Sequence, residues 1–477
     1  MESVWRAECT IDQRPALQDN IKADVAVVGA GMAGILTAYL LKEQGADVVI
    51  LEAGRTAGGV TADTTAKITS QHGLIYRRLT DEVGFEQAKQ YADANEKAIK
   101  KYRQLVLQKE IDCGFEELPS YVYSTDKVAS LEEEVEAAQK LGLKASFANE
   151  LPLPFSTVGA VKFSGQAQFQ PLKFVKEIAK DLTIYENTPV TQVSEQMVRA
   201  GKYTVQAKKV VVATHFPILN TPGYYFMRMY QQRSYVLALE GAAQLDGMFI
   251  DMDEQGYSFR NYKNLLLLGG GGHRCGKGKG DSYWKLEKAA REFYPSAAER
   301  YRWSAQDCMT LDGIPYIGCY SESTPSLFVA TGFNKWGMTG SMTAAMILND
   351  LIAGRKNPNA EVFSPQRFHL AASAQTIMDD AAALVSSFSK RVFHFPKERA
   401  EELKNGEGKV VDLDGEKVGV YKDEDGNLHT VSANCPHMGC ELSFNAEEKT
   451  WECPCHGSLF DCNGMLLNNP AGEGISS

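Results

Sequence analysis

No uninterrupted apolar run in this chain of 477 residues approaches the roughly 18 residues that a bilayer-spanning helix needs, so no integral membrane segment is expected. The opening MESVWRAECT also lacks a basic stretch followed by an apolar core, and the chain reads as cytoplasmic. Positive charge is short too. Fifty Lys and Arg stand against sixty Asp and Glu, and a formal charge of -10 repels polyphosphate, which argues against nucleic acid as a partner. The sequence carries no internal repeat or low-complexity tract. With 44% hydrophobic and 23% charged residues it has the composition of a packed globular protein, and its length allows two or three domains. Cysteine is sparse and then concentrated: Cys9, Cys113, Cys275, Cys308 and Cys319 are scattered, whereas Cys435, Cys440, Cys453, Cys455 and Cys462 fall within 28 residues. In a cytosolic chain such a cluster points to a metal or redox centre before a disulfide scaffold.

From Ala23, ADVAVVGAGMAGILTAYLLKEQGADVVILEAG reads as a buried strand, a glycine turn, an apolar helix and a second strand. Gly29, Gly31 and Gly34 satisfy G-x-G-x-x-G in the context that gives the motif meaning: a tight turn, room for a pyrophosphate at the backbone, and close helix packing. Glu52, 18 residues beyond Gly34 at the end of the second strand, is placed to accept hydrogen bonds from a ribose, and an acid there favours FAD or NAD over NADP. The motif does not choose between those two. Residues 82–150 carry charged helical stretches such as LEEEVEAAQKLG, expected to be solvated faces. Short alternating segments over 155–310 predict a largely β layer interleaved with the first unit, and residues 327–354 return to strand, glycine turn and helix. After KNGEGK the texture becomes short strands with turns at Asp414-Gly415 and Asp425-Gly426, as in a small all-β domain.

The segment EAGRTAGGVTADTTAKITSQHG resembles the one that follows the first βαβ unit in FAD-dependent oxidoreductases of the D-amino-acid-oxidase superfamily, and the resemblance recurs at VVVATHFP, LDGIPYIG and ATGFNKWGMTGSMTAAMILNDLI. It implies FAD, with Arg55, Thr64 and Thr65 near the flavin, Val190 on a strand meeting adenine, and Ala213 and Thr214 lining the site. It also implies that Gly332, Phe333, Asn334, Trp336, Gly337, Met338 and Thr339 close over the flavin ring, although core packing accounts equally well for Trp336 and Met338. Arg233, Arg260 and Arg302 are candidates to anchor a substrate carboxylate, with Arg260 preferred, and no catalytic residue is assigned. A lysine that helps hold the carboxylate in the sarcosine-oxidase branch is matched here by Thr339. His72 and Cys308 could be proposed as covalent flavin links, but a hydrogen-bonded histidine and a buried thiol are the expected readings.

Cys435-Pro436-His437 is followed 15 residues later by Cys453-Pro454-Cys455-His456, a set of Cys and His that could hold zinc. Between them lies a hairpin-like stretch rather than a finger helix. CPHMGC and CPCHGS resemble the two cluster-binding loops of Rieske proteins. The resemblance implies a [2Fe-2S] cluster with Cys435 and Cys453 on one iron and His437 and His456 on the other, a Cys440–Cys455 disulfide, and Ser458 donating to a bridging sulfur. Neutral imidazoles raise the potential into a range of about -150 to +300 mV. Phe460 stands where high-potential members have tyrosine, so a potential below theirs but above the oxygenase type is expected. The remaining histidines show no paired spacing for an oxygenase iron. Rieske domains usually continue beyond the proline loop matched by Asn469-Pro470-Ala471, which implies a C-terminally truncated or differently closed domain.

The expected architecture is thus α/β (α+β). An FAD-binding Rossmann-type domain with an interleaved β-rich substrate domain occupies 1–364, its FAD-binding parts about 20–75, 155–220 and 305–360; a helical connector follows over 365–400, and a small all-β Rieske domain over 401–477. The expected function is oxidation of a small amine or amino-acid-like substrate at a C–N bond, with electrons passed singly to the cluster and on to a redox carrier or quinone. The rival readings are a reductase running in the opposite direction and a redox-sensing or electron-transfer protein without its own substrate.

Overall fold

The run ADVAVV ends the strand Ile21–Val28, whose last four residues are buried, and VVIL forms Val48–Leu51, buried throughout. Strands covered on both faces belong inside a parallel sheet, because the crossover helices lie over its two sides. The computed structural model, which describes residues 2–367, 402–413 and 416–476, has that sheet. Its order is Tyr316–Cys319, Leu327–Thr331, Tyr203–Val212, Ile21–Val28, Val48–Leu51 and Thr183–Tyr185. Neighbours are parallel except at the edge strand Tyr316–Cys319. The helix Met32–Lys42 is buried from Met32 to Leu41 and packs against the helix Gly337–Ile352, which is why both are apolar nearly all round.

A second, nine-stranded sheet interleaves with the first in sequence. It includes Lys67–Ile68, Glu116–Ser124, Gly159–Gln168, Met229–Glu240, Leu265–Arg274 and Ala298–Thr310. Residues 159–168 and 305–310, expected within the FAD-binding parts, fall in this second sheet. Met229–Glu240 pairs antiparallel with Ala298–Thr310, placing Gln231 opposite Cys308, Gln232 opposite Asp307 and Arg233 opposite Gln306. Side chains alternate along a strand, so Gln231, Arg233, Gln306 and Cys308 share one face and Gln232 and Asp307 share the other.

The third unit is small and all-β. One antiparallel sheet joins Gly408–Leu413, Glu416–Lys422 and Leu428–Ser432, and another joins Ser443–Asn445, Thr450–Glu452, Leu459–Asp461 and Leu466–Asn468. Trp451, Phe460 and Tyr421 pack with Cys435, Cys440, Cys453 and Cys455 in its core. Residues after the proline loop turn back onto this core: Ile475 is buried, its N–H donates to Gly464, and its carbonyl accepts from Ser432. The expected helical connector lies, from 368 on, outside the described residues.

Two expectations about charge differ from what is observed. The helix Val128–Lys140 does not solvate all of LEEEVEAAQKLG: Glu134 is buried, and its carboxylate accepts the N–H groups of Tyr76 and Arg77 at 2.8 Å, in the first turn of the helix Ile75–Val83. A carboxylate at the positive end of a helix is well placed. Burial nevertheless pushes its pKa up to about 6. Arg260 is also buried, its guanidinium donating to the carbonyls of Thr65 at 2.6 Å and Ala66 at 3.0 Å. It therefore braces the turn after the glycine-rich segment.

Candidate flavin and iron–sulfur sites

Close approach decides the glycines. Gly29 sits at φ +105°, and a Cβ there would lie 2.5 Å from the carbonyl oxygen of Ala213; a Cβ on Gly34 would lie 1.9 Å from the carbonyl oxygen of Gly29. Gly31 precedes the first turn of the helix Met32–Lys42, where no side chain caps the helix and the backbone donors favour an anion. Glu52 is held beside this turn, its two oxygens accepting from Ala30 N–H at 2.7 Å and Gly54 N–H at 2.8 Å. Burial raises its pKa while those donors oppose the rise. Val190 begins the short strand Val190–Val193, and Ala213 N–H donates to Val28, so the strand ends and the glycine turn meet. Arg55 lies to one side, on Glu186 at 3.3 Å and the carbonyl of Ile11 at 2.8 Å.

The segment 332–339 ties three parts of the chain together. Asn334, at φ +51°, donates its N–H to Cys308 at 3.0 Å, accepts from Thr310 N–H at 3.0 Å and donates to Gly313 at 2.9 Å. Gly332 is also left-handed, with Thr310 against it; Phe333 packs on Gly340, and Gly337 opens the helix. Trp336 stacks on His72 with centroids 4.9 Å apart, and Thr339 donates to Thr69 at 2.9 Å. Met338 is buried, its carbonyl accepting from Tyr102. On the facing loop, Thr64 accepts from Ala66 N–H and Thr65 from Lys67 Nζ, both at 3.0 Å. Thr214 donates to Phe216. Cys308 is a buried thiol pushed up to about 12 by desolvation.

His72 has both ring nitrogens engaged: Nδ1 with Tyr91 at 2.6 Å, and Nε2 with Thr69 at 2.7 Å and Thr339 at 3.0 Å. Burial lowers its pKa to about 3. The unfolded chain therefore takes up a proton near pH 6.5 that the folded chain refuses until far lower, so this residue's stabilising share falls as pH falls. Relative to a His72→Gln variant, the native protein should lose about 1.4 kcal/mol of stability between about pH 7.5 and about pH 5.5, read from urea midpoints at the two pH values. A stability difference independent of pH would contradict a neutral His72.

The two cysteine–histidine loops fold alike. Gly439 N–H donates to the Cys435 carbonyl at 2.8 Å, and Gly457 N–H to the Cys453 carbonyl at 2.9 Å, with both glycines left-handed. Cys440 and Cys455 are joined in a disulfide that links the loops. Cys435 and Cys453 are free and buried; hydrogen bonding to Cys453 and Ser458 lowers Cys435 to about 7, below the usual thiol range, while the same contact and burial push Cys453 up. The imidazoles of His437 and His456 stand 5.0 Å apart, and both Nδ1 atoms are buried without a hydrogen-bond partner. Two neighbouring sulfurs and two open nitrogens, on imidazoles that burial keeps neutral, are the donor set a [2Fe-2S] cluster of the mixed type needs. Ser458 is buried beside them and also accepts from Ala471 N–H, whereas Phe460 offers no hydroxyl.

These loops lie against the second sheet. Gln231 donates to the carbonyls of His456 at 2.9 Å and Asn469 at 3.0 Å, Gln306 donates to Gly457 at 2.6 Å, and Asn469 reaches Thr214 at 3.0 Å and Phe216 at 2.6 Å. A Cβ on Gly457 would lie 2.6 Å from the Cβ of Gln231. Asn220 meets His437 Nε2 at 2.9 Å, and Phe226 packs edge-on to both imidazoles. Arg233, buried, is paired with Glu448 and lies 3.6 Å from Glu452; burial opposes its charge, but the two carboxylates hold it ionised. Arg302 instead spends its guanidinium on Glu287 and Glu299. Gln231, Gln306, Glu448 and Glu452 carry no motif. Glu448 and Glu452 lie in an unremarkable AEEKTWE stretch, and their partner is more than 200 residues away.

A parallel dinucleotide sheet crossed with a broad substrate sheet, joined to a two-loop Cys–His module, defines a flavin oxidoreductase fused to an iron–sulfur domain. The chain belongs to the FAD dependent oxidoreductase (DAO) family, whose model matches residues 24–351, and carries a Rieske [2Fe-2S] domain over residues 394–477. It binds FAD and a [2Fe-2S] cluster. It is 36% identical over 488 residues, 98% of this chain and 96% of the other, to a Bacillus subtilis (strain 168) protein described as a Rieske 2Fe-2S iron–sulfur protein, YhfW. It is 24% identical over 368 residues, 71% of this chain and 85% of the other, to gamma-glutamylputrescine oxidoreductase of Escherichia coli (strain K12). The structure of glycine oxidase from Geobacillus kaustophilus aligns with 73% of this chain and 100% of its own, at a TM-score of 0.62 and 18% identity, which speaks for the fold. Among the described residues, no helix is long and apolar enough to cross a membrane.

Proposed function

We propose that this protein oxidises a small amine or amino-acid-like substrate at a C–N bond and passes the electrons, within the same chain, from the flavin site to the Rieske site. The observation that carries this reading is the set of contacts by which Gln231, Gln306, Thr214 and Phe216 of the flavoprotein part hold the loops around His456 and Asn469. When bound, FAD supplies two-electron oxidation and the cluster one-electron transfer. The chain's own residues do the rest. Gly29, Gly31 and Gly34 would admit the pyrophosphate, Glu52 would orient the ribose, and the 332–339 segment would close over the ring. Cys435, Cys453, His437 and His456 hold the cluster, and Arg233 with Glu448 and Glu452 keeps its loops seated on the sheet. Thr214 and Phe216, on the segment that follows the flavin-lining Ala213, accept from Asn469 and so bring the two sites together.

Anaerobic mixing with a panel of secondary amines and amino acids tests the reading. At least one should bleach the flavin and then raise the electron paramagnetic resonance signal of the reduced cluster. A flavin bleached only by a reduced carrier, and by no amine, would remove the dehydrogenase reading.

A further inference from the structure

On the face of the broad sheet opposite Gln231 and Arg233, Gln232 and Asp307 lie side by side. Asp307 lies across from Gln232 in the strand register, one residue before Cys308, whose carbonyl takes the Asn334 N–H of the flavin-closing segment. Among the described residues Asp307 has no hydrogen-bond or ion-pair partner, and burial pushes its carboxyl up to about 6 while Lys335 opposes the rise. Gln232 is only 5% exposed, and its Oε1 has no donor. Its Nε2 donates to a carboxylate oxygen of Glu254 at 3.3 Å, which turns the amide toward that acid. The loop holding Glu254 and the Lys335 ammonium both border Gly272: a Cβ there would lie 3.7 Å from the Glu254 carbonyl oxygen and 3.5 Å from Lys335 Nζ. Asp307 is half-buried and Glu254 exposed, but the Gln232 Oε1 is a buried acceptor left unpaired, which is costly, and it calls for a ligand that donates.

We propose that Asp307, Gln232 and Glu254 form a subsite for the ammonium group of an amine substrate. An ammonium offers three donors and one positive charge, matching two carboxylates and an amide oxygen. The three arginines that the sequence offers as carboxylate anchors are committed elsewhere: Arg260 to the carbonyls of Thr65 and Ala66, Arg233 to Glu448 and Glu452, and Arg302 to Glu287 and Glu299; Arg274, opposite Gln232 in the register, stacks over Tyr230. Lys335, the cation that faces Asp307, is exposed at the rim, where it tempers the negative charge of the free site and competes with a bound cation. The subsite rests on the proposed oxidation of amines and names the class within it: substrates recognised through a cationic nitrogen rather than through a carboxylate.

The test compares n-butylamine with butyrate, equal in chain length and opposite in charge, binding to the oxidised holoprotein under anaerobic conditions, read by calorimetry and by perturbation of flavin absorbance. Butylamine should bind and butyrate should not. Asp307→Asn, nearly isosteric, should weaken butylamine roughly tenfold or more while keeping its flavin spectrum. Lys335→Gln, at an exposed position, should tighten it severalfold, because a like charge is removed. Tighter binding of butyrate, no binding of butylamine, or weaker butylamine binding in Lys335→Gln would overturn the subsite. Because binding is read without turnover, the subsite can stand even if no amine reduces the flavin. Conversely, an amine that reduces the flavin with the same KM in wild type and Asp307→Asn would sink the subsite and leave the oxidoreductase reading intact.

Discussion

Arg233→Met should unseat the Rieske module. The substitution keeps most of the side chain's bulk and removes its charge, leaving Glu448 and Glu452 in a buried interface without the cation that balances them. Breaking a buried pair from one side costs about 3–5 kcal/mol, because the remaining charge must be solvated or protonated. The cheapest relief is for the hairpin Ser443–Glu452 to leave the sheet and hydrate its carboxylates. Its departure carries off the Gly457 and Asn469 contacts, since Gln231, Gln306 and Arg233 occupy one face. The expected variant still binds FAD and assembles its cluster, because neither site takes a ligand from Arg233. Its thermal transition falls, and the cluster signal after flavin reduction is delayed or lost. Adding Glu448→Gln and Glu452→Gln should restore part of the stability, since the stranded charges go as well. A stability and transfer rate equal to wild type in Arg233→Met would mean that the ion cluster does not hold the module.

Gly34→Ala should yield protein without flavin. The added methyl would sit 1.9 Å from the carbonyl oxygen of Gly29, a backbone atom in the turn whose own neighbour is the Ala213 carbonyl. Neither can yield without opening the turn. Overpacking of this kind costs about 1–3 kcal/mol in the apoprotein. The lost cofactor adds more, since a ligand present at about a thousand times its Kd stabilises by roughly 4 kcal/mol. Purified Gly34→Ala should show cluster absorbance and little flavin absorbance, with a lower Tm that added FAD does not restore. Stoichiometric flavin in this variant would contradict the close packing.

What the sequence made legible was local. Gly29, Gly31, Gly34 and Glu52 sit within one βαβ unit, and each cluster loop is a five-residue turn whose cysteine and glycine are hydrogen-bonded to each other, so spacing alone carries the chemistry. Partnerships between distant segments were not legible. Glu134 reads as one more charge on a solvated helix, yet it caps a neighbouring helix. Arg260 reads as a free guanidinium, yet two backbone carbonyls from a loop almost 200 residues earlier claim it. Asp307 carries no motif at all, and only the strand register and the unpartnered Oε1 of Gln232 single it out. A charged residue's fate depends on which opposite charge or carbonyl the fold brings to it, and periodicity does not encode that.

The central claim is that the flavin and the cluster exchange electrons inside one chain. Photoreducing the flavin of the oxidised holoprotein and following the cluster signal at several protein concentrations tests it most directly. An intramolecular step has a rate set by the fixed geometry, so one first-order rate at every dilution is the predicted result. A rate that rises in proportion to protein concentration, or a cluster that stays oxidised beside reduced flavin, would contradict it.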